Sequence, residues 1–240
     1  LIISFLSAIM GTLVGMAMVI LLPVMIFFGV PVHTAIATGR FSMLGLNMGN
    51  IAMFSQNGKI QQKYFLVFAV TGVIGSLAGA LYLVHINEKL LKMVIGAFMI
   101  LVSMLVLLED YTMPKRGRHK TTMKHNIISA SAGIFVGSYI GIIGGGGATI
   151  IILLLMLVYG LNFHDALANQ KAITLPISIV ATVVFVYQGL IDYKLAVPLF
   201  IVNFAGGFLG AGLVNKFRGV WLKRIVVPVV ILMALRLIFY

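Results

Sequence analysis

The chain has 240 residues, of which 61% are hydrophobic and 9% charged, with a mean hydropathy of +1.14. Soluble domains carry roughly 25% charged residues, and a folded chain of this size still exposes about a quarter of its surface, so water cannot be the solvent for most of these side chains. A soluble enzyme, a secreted disulfide scaffold and a disordered chain are excluded together. The formal net charge of +12 is then a topology signal rather than a mark of nucleic-acid binding, because most of the Lys and Arg sit in short loops between apolar runs.

Runs of about 20 apolar residues cross a bilayer as helices. Eight follow one another, at roughly 2–28, 33–56, 63–86, 90–108, 127–158, 164–188, 194–216 and 221–240. They are continuously apolar rather than alternating, which excludes a closed β-barrel. The expected fold is all-α, a polytopic membrane bundle of about eight transmembrane segments. No cleavable leader is expected, since the first run lacks a basic stretch before it. With no cysteine in the chain, disulfides, zinc–thiolate clusters and thiol nucleophiles are excluded.

Shifted by 131 residues without a gap, the chain aligns with itself. Gly15 falls on Gly146, Gly29 on Gly160, His33 on His164, Gly58 on Gly189, Lys63 on Lys194, and Gly75 and Gly79 on Gly206 and Gly210. Apolar matches are cheap in so greasy a sequence; glycine, histidine and lysine matches in one register are not. The chain therefore divides into a repeat unit at 1–108, a basic linker at 109–126 expected on the cytoplasmic side, and a second unit at 127–240. Four spans in each would make the units parallel, with eight loop cations on one side against six on the other. The fifth segment is long, however, about 48 Å as a helix. A break at its glycines would change the parity and invert the units.

Two matched stretches carry the candidate site. Unit one reads Gly29-Val-Pro-Val-His33-Thr-Ala35-Ile-Ala37-Thr38-Gly39-Arg40; unit two reads Gly160-Leu-Asn-Phe-His164-Asp-Ala166-Leu-Ala168-Asn169-Gln170-Lys171. Arg40 and Lys171 are repeat-related and lie about 10 Å into their helices. A cation at that depth costs at least about 2.5 kcal/mol and faces a cavity or snorkels back to the interface. A symmetric pair with polar neighbours favours the cavity, and with it an anion. Thr38, Asn169 and Gln170 adjoin the cations, and Asn47 shares a helix face with Arg40 and His33. His33 and His164 are candidate ligands or proton-coupling groups, and read equally as helix-start residues. Four consecutive glycines, Gly144, Gly145, Gly146 and Gly147, weaken a helix by about 1 kcal/mol each and permit an unwound stretch whose N–H groups bind anions. The matching Gly11-Thr-Leu-Val-Gly15 is expected to be less broken, so the half-sites should differ. Gly75/Gly79 and Gly206/Gly210 are read as close helix packing. The five acids, Glu88, Glu109, Asp110, Asp165 and Asp192, lie at segment ends or in loops. No nucleotide-binding, hydrolase or zinc-protease motif occurs.

The glycine-rich stretch, the Gly-x-x-x-His-x-Ala-x-Ala motif after it, the later Gly-x-Ile and the duplication together resemble the TauE/SafE family of sulfite exporters, also called the toluene sulfonate uptake permeases. The resemblance covers essentially the whole chain. It implies a prokaryotic plasma-membrane permease of about eight spans that moves small sulfur-containing anions without ATP. Here Leu154 stands where unit one has Pro23, and Asn169-Gln170 where unit one has Thr38-Gly39. The expected function is a secondary transporter for sulfite, thiosulfate or an organosulfonate, working by alternating access between the repeats. Its partners are a small anionic substrate and the lipid bilayer, with no nucleic acid, cofactor or metal, as a single copy or a homo-oligomer. A permease for a carboxylate or inorganic anion and a non-transporting scaffold subunit are the alternatives.

Overall fold

The computed structural model describes residues 1–56, 62–112, 123–144, 146–214 and 220–239. Gly145 and most of the linker lie outside the described residues, as do Lys59, Lys216 and Arg218. The eight apolar segments form ten α-helices: α1 (Ile2–Val14), α2 (Ala17–Phe27), α3 (Val32–Ser55), α4 (Gln62–Tyr82), α5 (Glu88–Thr112), α6 (Met123–Ile142), α7 (Gly147–Tyr159), α8 (Phe163–Tyr187), α9 (Tyr193–Leu213) and α10 (Val220–Phe239). Among the described residues, Leu66–His85, Phe163–Tyr187 and Tyr193–Leu213 are long and apolar enough to cross a membrane. The bounds of α4 and α9 differ by 131 at both ends, as do the starts of α3 and α8.

Two of the eight segments are interrupted. The fifth breaks between α6 and α7, with Gly144 and Gly146 in the left-handed region at φ +83° and +81°. The first breaks as well, with one left-handed glycine against two, so the Gly11–Gly15 stretch is interrupted over fewer residues than its counterpart. Gly15 adopts φ +86° and its N–H closes the last turn on the Gly11 carbonyl at 2.8 Å. A single glycine in this conformation ends a helix, because other residues are disfavoured there. A side chain at Gly11 would collide with Ala17, so the chain folds back tightly.

Pairwise contacts give the helix directions. Ser76 bonds the Ile177 carbonyl and Gln188 the Ala80 carbonyl, so α4 and α8 run parallel. The Asp192 N–H bonds Thr38, Gly45 packs on Phe200 and Gly49 on Phe204, so α3 and α9 run parallel. Ser4 meets Asn203 at 2.7 Å and Gly210 meets Thr12, so α1 also runs with α9. Helices α1 and α3 therefore point the same way, and α2 must return between them. The pair α1–α2 is a re-entrant arm, and α6–α7 is its counterpart, since α6 runs with α4 and α8 (Gly133 on Phe68, Gly137 on Gly72, Gly141 on Ser76). Each half of the chain thus has one arm followed by three long helices, and α3 and α4 run opposite to α8 and α9, the helices at the same places in the second half.

The arms are exchanged. Gly75 and Gly79 on α4 pack against Ile134 and Ser138 of α6, while Gly206 and Gly210 on α9 pack against Phe5, Ala8, Ile9 and Thr12 of α1. Small residues let backbones approach, which is the main source of helix association in lipid. The opposite face of α4 presents Leu66, Val70, Ile74, Leu77 and Leu81, each 44–59% exposed. In water such a stripe would be an aggregation site; in a bilayer it is the solvated face.

Opposite direction of the halves has a direct test, because the chain has no cysteine of its own. Pro31 and Asn162 are repeat-related, exposed, and precede α3 and α8. Single Pro31→Cys and Asn162→Cys variants are expected to react with a membrane-impermeant maleimide from opposite faces of the membrane. Labelling of both from one face contradicts the fold.

Candidate functional site

Helices α3 and α8 cross antiparallel near their midpoints. Arg40 reaches Ser178, while seven residues on Asn47 pairs with Thr174, so the contacts climb one helix and descend the other. Both helices start at defined places. Gly29 and Gly160 turn the chain at φ +86° and +65°. Pro31 precedes α3, and the Asn162 side chain caps α8 by accepting the Asp165 N–H at 2.9 Å. Such a cap is worth about 1 kcal/mol, and it fixes which residues of α8 face inward.

The tips of the two arms meet this crossing from either side, and Gly15 of one arm lies against Thr149 of the other. Between them is a cavity of about 40 Å³, counted as space open to the centres of water molecules. A single water needs at least about 10–15 Å³ by this measure, so there is room for a small polyatomic ion. Much of its lining falls in pairs 131 residues apart: Gly15 with Gly146, Ala17 with Ala148, Arg40 with Lys171, Met43 with Thr174 and Asn47 with Ser178.

Arg40 is 3% exposed and Lys171 2%. The Arg40 guanidinium donates to the Ile140 carbonyl and, at 3.4 Å, to Ser178 Oγ; its Nε has no partner. It lies flat on Gly144, where any Cβ would collide with it. Lys171 lines the cavity, and among the described residues no side-chain hydrogen bond or salt bridge holds its ammonium. Neither cation forms an ion pair there, and no carboxylate lines the cavity. The starts of α2 and α7 border the cavity without any side-chain cap. They add the positive ends of two helix dipoles to the two side-chain charges.

Of the residues singled out in the sequence, Arg40, Lys171, Asn47, Gln170, Gly144 and Gly146 line this cavity. The others lie elsewhere. Thr38 Oγ1 accepts the Asp192 N–H at 3.0 Å and pins the α8–α9 connection. Asn169 donates to the Asp165 carbonyl one turn back. Gly147 starts α7 against Ile140, and Gly145 is outside the described residues. His33 bonds the Ile86 carbonyl at 3.1 Å and stands 3.7 Å from Glu88. His164 bonds the Val214 carbonyl at 3.3 Å. Each histidine ties the start of its long helix to the end of a neighbouring helical segment. Sequence reasoning gave no role at the cavity to Gly15, Met18, Met43 or the Ile140 carbonyl; for Gly15 the register with Gly146 was a usable signal.

An all-helical bundle with interrupted helices that meet at a buried polar cavity has the build of a membrane transporter. The comparisons agree. The chain matches the family described as sulfite exporter TauE/SafE over residues 1–237, and it belongs to that family. It is 23% identical to the probable membrane transporter protein YdhB of Bacillus subtilis over 82% of this chain and 81% of that one. It is 21% identical to a probable membrane transporter protein of Haemophilus influenzae, over 97% and 89%. It is 20% identical to the probable membrane transporter protein YfcA of Escherichia coli K12, over 99% and 87%.

Gly144→Ala is expected to lower stability in detergent by roughly 1–2 kcal/mol for the left-handed backbone alone, and to displace Arg40 so that transport is lost. A thermal melt and an uptake assay check this; a melt at the wild-type temperature contradicts the backbone assignment.

Proposed function

We propose that the protein is a secondary permease for a small anion, most simply a sulfur oxyanion or organosulfonate. The anion sits between two repeat units that exchange access to it. The observation that carries this reading is the pairing of Arg40 and Lys171, from antiparallel helices, in one buried cavity that holds no acid. Two buried positive charges without a counter-charge are costly, and an anion supplies what the protein omits. Sulfite and sulfonates present three oxygens, and the cavity offers guanidinium, ammonium, Asn47 and the uncapped helix starts as donors. Helix breaks at both arm tips support a site at mid-bundle about which inverted units would rock. A scaffold subunit would have no use for such a cavity.

The orientation follows from the helix directions. The connections α3–α4, α5–α6, α7–α8 and α9–α10 share one end of the bundle. In the sequence, these connections and the helix starts that follow them include Lys59, Lys63, the five linker cations, Lys216, Arg218, Lys223 and Arg224. The other end carries Lys89, Lys92, Lys194 and Arg236. A bias of eleven to four, against eight to six for parallel units, supports a cytoplasmic linker end by the positive-inside rule. The membrane on this reading is the plasma membrane of a prokaryote.

Uptake of radiolabelled anions into proteoliposomes tests the site. Arg40→Ala and Lys171→Ala should each weaken anion binding about 10- to 100-fold, the worth of hydrogen bonds to charged groups, while the protein stays folded by gel filtration. Full uptake in the double variant removes the assignment. His33→Ala and His164→Ala should instead cost about 1 kcal/mol of stability each and leave the half-saturating anion concentration unchanged. A tenfold rise in that concentration would bring the histidines back into the site.

A further inference from the structure

The two cations are not held alike. Arg40 is fixed by Ser178 and the Ile140 carbonyl and rests on Gly144. Lys171 occupies the repeat-related place with none of this: it is 2% exposed, its ammonium is held by no side-chain hydrogen bond or salt bridge among the described residues, and it shares its cavity with a second positive charge. The side chains also differ in kind. A guanidinium stays charged at any accessible pH, whereas a lysine amine can release its proton, which is why buried lysines serve as bases elsewhere.

The groups that face α8 leave the ammonium no protein counter-charge. Four helices pack on it: α3, α4, α6 and α7. Helix α3 brings Arg40. Helix α6 brings Tyr139, whose ring stacks on Phe98 at 3.7 Å, and His125, whose ring centroid lies 5.7 Å from that of Tyr159. Tyr159 of α7 is engaged with Ser129 at 2.7 Å, and α4 offers Tyr82 at its exposed end. His164 and Asp165 head α8 itself, nearly two turns before Lys171. What remains as partner for the ammonium is whatever enters the cavity.

Resting on the anion reading of the cavity, we propose that Lys171 is the coupling-proton site of the transporter: its Nζ carries a proton when the anion is bound and releases it when the anion leaves. On the entry side the amine lone pair takes a proton from water as the anion arrives. On the exit side that N–H bond breaks and the proton follows the anion out. One proton then crosses with each anion, and Arg40, which keeps its charge throughout, holds the anion without joining the proton cycle. A monoanion would move without net charge and a dianion with one negative charge.

The experiment uses the full chain in liposomes with a trapped pH dye and a clamped membrane potential. The probes are radiolabelled thiosulfate and methanesulfonate, whose charges do not change near neutral pH. An acid pH on the side of the anion is expected to speed wild-type uptake several-fold, with one proton appearing inside per anion. Lys171→Arg, permanently charged, should take up anion more slowly, and the remaining flux should ignore the pH gradient and leave the dye silent. Wild-type uptake without proton movement overturns the inference, as does a Lys171→Arg flux that still follows the gradient. If Lys171→Arg is inactive, His33→Gln and His164→Gln decide: both are expected to keep one proton per anion, and anion uptake without proton movement in either overturns the inference. Absence of uptake for both probes and for sulfite overturns the anion reading itself, and the coupling with it.

Discussion

A buried positive charge without a buried negative one is the constraint around which this bundle is arranged. Neither lipid nor the apolar exterior of the helices can solvate Arg40 or Lys171. The polar groups that can do so are drawn inward to where α3 and α8 cross. Asn47, Gln170, Thr174 and Ser178 are all buried, while leucine, valine and isoleucine line the outside of α4. The distribution of a water-soluble protein is turned inside out. The carbonyl that receives Arg40 comes from Ile140, in the last turn of α6, where helical hydrogen bonding stops and backbone acceptors become free. The helix break and the buried cation therefore satisfy each other, and Gly144 is bare because the guanidinium lies on it.

The breaks also explain the connectivity. An interrupted helix cannot stand alone in a bilayer, since its unpaired backbone groups need protein or water around them. Each arm is accordingly laid against helices of the opposite half, through glycine contacts that bring backbones together. The two tips then meet across the cavity. Exchange of arms and convergence at the centre are one arrangement seen from the outside and from the inside.

Much of this was legible in the sequence, because lipid makes helix the cheapest answer for any long apolar run and because glycine, lysine and histidine are rare enough there for a register to stand out. The eight segments and the cation pair follow from those two facts. The first break showed only faintly, through the register of Gly15 with Gly146, because a single left-handed residue suffices to end a helix. The second break was visible only because four glycines stand together. Parity turned on that faint first break, so the direction of the second half was open until the contacts fixed it. Membership of the cavity was partly hidden for a related reason. His33, Arg40 and Asn47 share a face, but the cavity occupies only the middle of α3, and His33 lies two turns outside it. Thr38 and Asn169 adjoin the cations in sequence yet point round the helix toward backbone partners.

The exchange of arms bears on how the chain is made. Ser4 of the first arm finds its partner in Asn203, 199 residues later, so α1 and α2 enter the membrane long before the helix that will cover them has been synthesised. Contacts so distant along the chain form late and slowly. Until α9 arrives, the first arm must wait at the surface of an unfinished bundle with its broken tip unpaired. The cavity cannot close around its contents until the second half has been inserted, which makes assembly of the site the final event of biogenesis rather than an early one. A polypeptide ending at the linker would hold Arg40 but neither Ser178 nor the Ile140 carbonyl to receive it.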